Sequence, residues 1–182
     1  MTVPSILSST PSTTEPPVGR TAGIVVLGVG NTLLTDDGVG VLVVRDLAEA
    51  AAARSSNDTA TVDYHDGGTI GLALLPLIEA TSGVILVDAA DFGGTLGEVR
   101  LFEGEAMDAL LRVKRSTPHE IAVSDLILTA DLIGTKPERR ALVAIQAGDL
   151  TLGAEPQAAV AAAIPAARAQ VTAVIERWGG RA

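Results

Sequence analysis

Residues 24–40 have the sequence IVVLGVGNTLLTDDGVG, an apolar run that stops at glycines and leads to two adjacent acids. The run at 24–27 predicts a buried strand, and the pattern from Asp37 to about Ala53 predicts a helix. A parallel strand that ends in glycines is where open α/β sheets place their ligands. Because this turn delivers Asp36 and Asp37 to that edge, it favours metal or proton chemistry over phosphate binding.

The composition limits the classes of protein and of chemistry. The chain has 182 residues, enough for one domain with a substantial core, and its 2% aromatic content means that the core is aliphatic. The absence of cysteine excludes disulfides, thiolate catalysis and cysteine-ligated zinc. A net charge of −9 argues against nucleic acid as a partner. Only His65 and His119 can supply an imidazole.

Residues 1–22 are rich in Ser, Thr and Pro, which predicts a disordered or loosely attached extension before a single domain at 23–182. This segment lacks a basic region followed by an apolar one, so it does not predict a signal peptide. No uninterrupted apolar run of about 20 residues predicts a membrane span. We therefore expect a cytoplasmic protein with no membrane partner, and a monomer because no dimer patch is evident.

Apolar runs alternate with helical patterns along the rest of the chain. Further strands are predicted at 61–64, 84–87, 98–102 (at an edge) and 141–145. Further helices are predicted at 71–79, 106–111, 120–133 and 156–178, with Pro165 as a candidate kink. This order predicts an α/β fold, a single three-layer domain with a mostly parallel twisted sheet of about five strands and helices on both faces.

Polar side chains follow three of the predicted strands. They are Asn31 with Asp36 and Asp37, then Asp66, then Asp88 with Asp91. The carboxyl ends of parallel strands share one edge, so these groups can converge there, and His119, in a loop ahead of a helix, can close over them. Two carboxylates and a neutral imidazole suit a first-row divalent metal better than magnesium or calcium.

Each acid also has a structural interpretation. Aspartate at a helix start is more often an N-cap than a metal ligand, and Asp36 or Thr35 fits that role. Asp66, before two glycines, fits a turn. Asp88 is harder to explain structurally, because it directly follows the apolar run VILV at the edge where such folds bind ligands.

Several familiar motifs are incomplete. Gly28 and Gly30 begin a dinucleotide fingerprint, but Leu33 stands where its third glycine belongs. There is no phosphate-binding loop of the GxxxxGK type and no GxSxG elbow, and His119-Glu120 has no second histidine in zincin register. A Rossmann-like nucleotide-binding domain is therefore the least favoured alternative, since the adjacent acids would repel a phosphate.

Four blocks together resemble the endopeptidases that mature nickel–iron hydrogenases. In order, they are GVGNTLLTDDGVG (28–40), DGGT (66–69), LVDA (86–89) and STPHE (116–120). The resemblance covers roughly residues 23–178. It implies a peptidase that removes the C-terminal peptide from the precursor of a [NiFe]-hydrogenase large subunit after nickel insertion, with the precursor as its partner. The alternative from another class is a non-enzymatic nickel-binding or assembly module on the same fold.

By position, the resemblance assigns both metal recognition and catalysis to Asp37, Asp88 and His119. It implies that nickel arrives with the substrate. The family commonly has Glu at the first of these positions, so both Asp36 and Asp37 stay open as the ligand. The attacking group, a carboxylate or a metal-activated water, also stays open. The residues expected to support the site are Gly28, Gly30, Asn31, Asp36, Asp66, Gly67 and Gly68.

Overall fold

The computed structural model describes residues 23–54, 62–113 and 118–181, with the side chains of 113 and 118–122 excluded. The prediction of an extension at 1–22 concerns residues outside these ranges. The strands are β1 (Ile24–Val29), β2 (Val62–Gly68), β3 (Gly83–Ala90), β4 (Val99–Glu103) and β5 (Arg139–Gln146). The helices are α1 (Val39–Ala53), α2 (Leu75–Glu79), α3 (Glu105–Val113), α4 (Pro118–Leu132), α5 (Ala158–Ala161) and α6 (Ile164–Arg177).

The five strands of the described residues form one sheet in the order β2-β1-β3-β5-β4. All neighbours are parallel except β4, which pairs antiparallel with β5 at the edge. Gly28 of β1 pairs with Val87 of β3, so Asp88 stands one residue beyond the last register pair between these two strands. The predicted fold class, with its edge strand, is confirmed.

Successive side chains of each central strand point into two different aliphatic layers. Val26, Ile85 and Val143 pack with α1 and α6 on one face of the sheet. Leu27, Leu86 and Leu142 pack with α3 and α4 on the other. Both layers are built from Val, Leu, Ile, Ala and Met, with aromatic rings only at their margins, as the composition predicts.

Three predicted details are wrong. Helix α1 begins at Val39 with Gly38 as its N-cap and no side-chain cap, so neither Thr35 nor Asp36 caps it. The helix predicted at 71–79 is a 3₁₀ turn (Gly71–Leu74) followed by the short helix α2. Pro165 does not kink a continuous helix; it lies in the first turn of α6, where its missing N–H costs nothing.

One stretch, Ala158–Arg177, is long and apolar enough to cross a membrane by length and composition. In the structure it is interrupted between α5 and α6, and one side of α6 packs into the core through Ala167, Val171 and Val174. A core helix of a soluble domain passes the same test, so the stretch does not indicate a membrane protein.

Candidate active site

The first turn of α1 lies so close to the sheet that no side chain fits between them. A Cβ at Gly40 would lie 2.2 Å from the carbonyl oxygen of Val87 and 2.5 Å from that of Val29. A Cβ at Gly28 would in turn lie 2.6 Å from the carbonyl oxygen of Gly40. The glycines therefore let the first turn of α1 rest directly on the carboxyl ends of β1 and β3, beside Asp88.

The turn after β1 folds back onto Asp37. Gly30 has φ +125°, and a Cβ there would lie 1.9 Å from the carbonyl oxygen of Asp37, so glycine is required on both counts. The amide of Gly30 donates to the carbonyl of Gly68 at 3.0 Å. The amide of Asn31 donates to Oδ2 of Asp37 at 2.7 Å. This turn fixes one carboxylate oxygen of Asp37 against the backbone of the loop.

Asp37 and Asp88 are both buried, with 1% and 3% of their surface exposed. Oδ1 of each carboxylate is shielded from solvent. Burial of carboxylates is unfavourable for stability, and their concentration at the ligand-binding edge of an α/β sheet is typical of a functional site. Two such groups can bind a divalent metal ion or accept a proton from a water molecule.

Asp36 has a different role from its neighbour. Its Oδ1 accepts a hydrogen bond from the amide of Gln157 at 2.7 Å. Its Oδ2 accepts bonds at 2.9 Å from the amides of Gly148 and Asp149 and from the side chain of Gln157. Burial by itself raises the pKa of Asp36, but these hydrogen bonds outweigh it and hold the pKa below its usual value. Asp36 is thus an anchor between two loops, and Asp37 is the better candidate for the ligand.

Asp66 does not join the buried acids. Its side chain is 41% exposed and forms a 2.7 Å ion pair with Arg45 of α1. Its other oxygen accepts a hydrogen bond from the amide of Gly68. Asp66 lies within β2, whereas the sequence predicts it after the strand. Gly67 lies against the carbonyl of Gly28, where a Cβ would approach to 3.1 Å. These three residues of the DGGT block therefore support the turn at Gly30 from the neighbouring strand.

His119 is the second residue of α4, not part of the preceding loop as predicted. Its side chain lies outside the described residues, so its place in the ligand set stays a prediction. Within the described residues, no group of three metal-binding side chains comes together. The described part of the site therefore consists of the two buried carboxylates, Asp37 and Asp88.

One organising residue, Gln146, was missed by the sequence analysis. It ends β5, is 6% exposed, and its Oε1 accepts the amides of Phe92 and Gly94 at 3.0 and 2.9 Å. Its Nε2 donates to Oδ1 of Asp91 at 3.2 Å. Gln146 thereby fixes the loop that follows Asp88. The signal that singled out Asp88, a polar residue directly after a buried apolar run, also applies to Gln146.

Comparison with known proteins relates this site to one family. The sequence model of a family described as hydrogenase maturation protease (HycI) matches residues 41–174, a range that includes Asp88 and His119 and begins just after Asp37. The hydrogenase expression/formation protein HupD of Rhodobacter capsulatus is 35% identical over 164 residues, covering 90% of this chain and 76% of HupD.

Two further similarities concern Escherichia coli proteins. The hydrogenase 2 maturation protease of strain K12 is 32% identical over 159 residues, covering 86% of this chain and 92% of that protein. The solved structure of the hydrogenase maturating endopeptidase HybD superposes with a TM-score of 0.77 at 30% identity, covering 87% of this chain and 95% of HybD. The chain therefore belongs to the hydrogenase maturation proteases and is a peptidase of the hydrolase class.

Proposed function

We propose that this peptidase removes the C-terminal peptide from the precursor of a [NiFe]-hydrogenase large subunit, and that it does so only when the precursor carries nickel. The observation that supports this proposal is the pair of buried carboxylates, Asp37 and Asp88, at the ligand-binding edge of a protein of this family. Two buried carboxylates at this edge can bind a metal ion or accept a proton from water, and peptide binding alone requires neither.

The nickel ion is part of the substrate in this proposal. Asp37 and Asp88 supply carboxylate oxygens, and His119 is the predicted third ligand. This donor set suits a first-row divalent ion such as Ni²⁺, and it leaves coordination positions for the ligands that the precursor itself provides. Cleavage would then depend on nickel because the metal joins the precursor to the carboxylates.

The chemical step is hydrolysis of one peptide bond. Water adds its oxygen to the carbonyl carbon, the C–N bond breaks, and the released amine receives a proton. The attacking water loses its proton to one of the two carboxylates, through an oxygen that does not bind the metal, and general base catalysis of this kind contributes about 10²–10⁴ in rate. The other carboxylate holds the metal-bound part of the substrate in place.

The close packing at the start of α1 argues against the alternative of a nucleotide-binding domain. A bound phosphate would need free backbone N–H groups at a helix start. Here that position follows Asp36 and Asp37, both buried, and the glycine contacts between α1 and the strands leave no side-chain-sized gap at Gly40.

The test is incubation of the purified protein with nickel-loaded and nickel-free precursor, with the released peptide measured by mass spectrometry. We expect release from the nickel-loaded precursor alone. Asp37→Asn and Asp88→Asn should each abolish release, and the variant that still binds nickel-loaded precursor identifies the proton acceptor. Asp46→Asn, which changes an exposed acid of α1, is the matched control.

Each other outcome has a definite meaning. Release that is independent of nickel would reject the nickel requirement. Binding of precursor without release, by the unaltered protein, would support the non-enzymatic assembly module instead. We further propose that the enzyme acts in the cytoplasm as a monomer. Light scattering of the purified protein, alone and with precursor, tests the monomer, and cell fractionation tests the location.

A further inference from the structure

The large apolar side chains that stay exposed are concentrated around the candidate active site. In the described part of the chain there are nine of them. Six lie in segments that leave the carboxyl ends of strands, the edge that carries Asp37 and Asp88: Leu33, Ile70, Leu72, Leu96, Leu150 and Leu152. Single exposed leucines need no explanation, but exposed apolar side chains grouped at one edge can form an interaction surface.

Three of these leucines belong to one structure, which we call the ledge and define as residues 32–36 together with 148–153. Leu34 and Leu152 form an antiparallel bridge. The amide of Gly153 donates to the carbonyl of Leu33 at 3.0 Å. On this ledge Leu33 is 68% and Leu152 84% exposed, and Leu150 is 40% exposed.

Asp36 holds the two halves of the ledge together. Its buried carboxylate binds the amides of Gly148 and Asp149, and its own amide donates to the carbonyl of Asp149 at 3.1 Å. The amide of Thr35 donates to the carbonyl of Thr151 at 3.0 Å. A loop pair fixed by a buried charge presents its leucines in a defined arrangement, which lowers the entropic cost of binding a partner.

We propose that the ledge binds an apolar segment of the large-subunit precursor next to the scissile peptide bond. This inference rests on the proposed function. The ledge adjoins the proposed site, since Asp36 of the ledge and Asp37 of the site are consecutive residues, so a precursor bound with its peptide bond at Asp37 has the ledge beside it. Burial of a leucine by such a segment strengthens binding by at least about tenfold.

The test measures the affinity of the protease for nickel-loaded precursor by biolayer interferometry, independently of cleavage. The variant is Leu33→Ser/Leu152→Ser. The matched control is Leu132→Ser/Ile133→Ser, which changes residues of similar exposure, 78% and 52%, at the C-terminal end of α4. All four side chains are exposed, so both variants should keep the melting temperature of the unaltered protein.

We expect the ledge variant to bind at least about tenfold more weakly and the control to bind normally. Equal affinity of the two variants for precursor would overturn the proposed role of the ledge while leaving the proposed function intact. Loss of self-association on light scattering, with unchanged affinity for precursor, would also overturn it and assign the ledge to a second copy of this chain.

If the unaltered protein binds precursor but does not cleave it, the proposed function fails. The ledge is then judged by affinity alone, on the same two variants. If the unaltered protein does not bind precursor at all, both proposals are rejected.

Discussion

Buried aspartates at the two ends of the sheet differ in their described hydrogen-bond partners. At the amino end of β5, Asp108 of α3 receives two 2.8 Å hydrogen bonds from the guanidinium of Arg140 and lies 3.4 Å from the ammonium of Lys136. At the carboxyl end, the described contacts of Asp37 and Asp36 are to amides of the backbone and of Gln157. The same residue type thus serves as an ion-pair partner at one end and as an anchor, Asp36, or a proposed site residue, Asp37, at the other.

From this difference we infer that Asp108 serves stability and that Asp37 serves function. Burial alone raises the pKa of Asp108, but Arg140 and Lys136 outweigh it, so the pKa is lowered, and Asp108 in turn raises the pKa of Arg140. Such pairing stabilises a carboxylate and withdraws it from chemistry. At the carboxyl end, the described contacts position Asp37 through the glycine turn and the amide of Asn31.

The largest expected effect comes from Gly40→Ala. Its Cβ would overlap the carbonyl oxygens of Val87 and Val29, so α1 must move off the strand ends. We expect a loss of on the order of 3 kcal/mol or more in unfolding free energy and loss of cleavage, measured by urea denaturation and peptide release. Gly134→Ala is the control, because an alanine at its φ of +75° costs about 1–2 kcal/mol and its Cβ meets nothing within 4 Å. Equal effects of the two changes would show that the close approach at Gly40 is not needed.

Asp108→Asn should disrupt the ion pair with Arg140 at the amino end of β5 and leave the carboxyl end unchanged. Removing one partner of a fully buried pair costs about 3–5 kcal/mol, and the residual exposure of this pair, 9% and 11%, reduces the expected loss to about 2 kcal/mol. The melting temperature should fall by roughly 4–8 °C, while cleavage at a temperature well below it should be unchanged. A fall in turnover with an unchanged melting temperature would contradict the separation of the two ends.

The smallest effect is on acid stability. Asp36 and Asp108 have folded pKa values below their usual value, so each adds stability that is present above the unfolded pKa of about 3.9 and is lost as the pH falls through the folded pKa. Asp36→Asn and Asp108→Asn should therefore each flatten the decline in unfolding free energy below about pH 4. Denaturation at several pH values measures this, with Asp46→Asn as control. An unchanged acid limb in both variants would remove these acids from the pH dependence.

Local patterns in the sequence were sufficient to predict the strands and part of the candidate site. Apolar runs identified the strands, and Asp88 was identified because it follows one of them directly. The role of Asp36 could not be predicted, because its partners Gly148, Asp149 and Gln157 lie 112 to 121 residues away in the chain. A capping rule considers only neighbours, and here tertiary contacts compete for the carboxylate and prevail.

We expect that Asp37 is needed for cleavage and contributes little to stability. The direct measurement compares Asp37→Asn with Asp108→Asn for cleavage of nickel-loaded precursor and for melting temperature. We expect Asp37→Asn to slow cleavage at least about 100-fold with a small shift in melting temperature, and Asp108→Asn to lower the melting temperature with little effect on cleavage. Cleavage by Asp37→Asn at the unaltered rate would contradict this expectation.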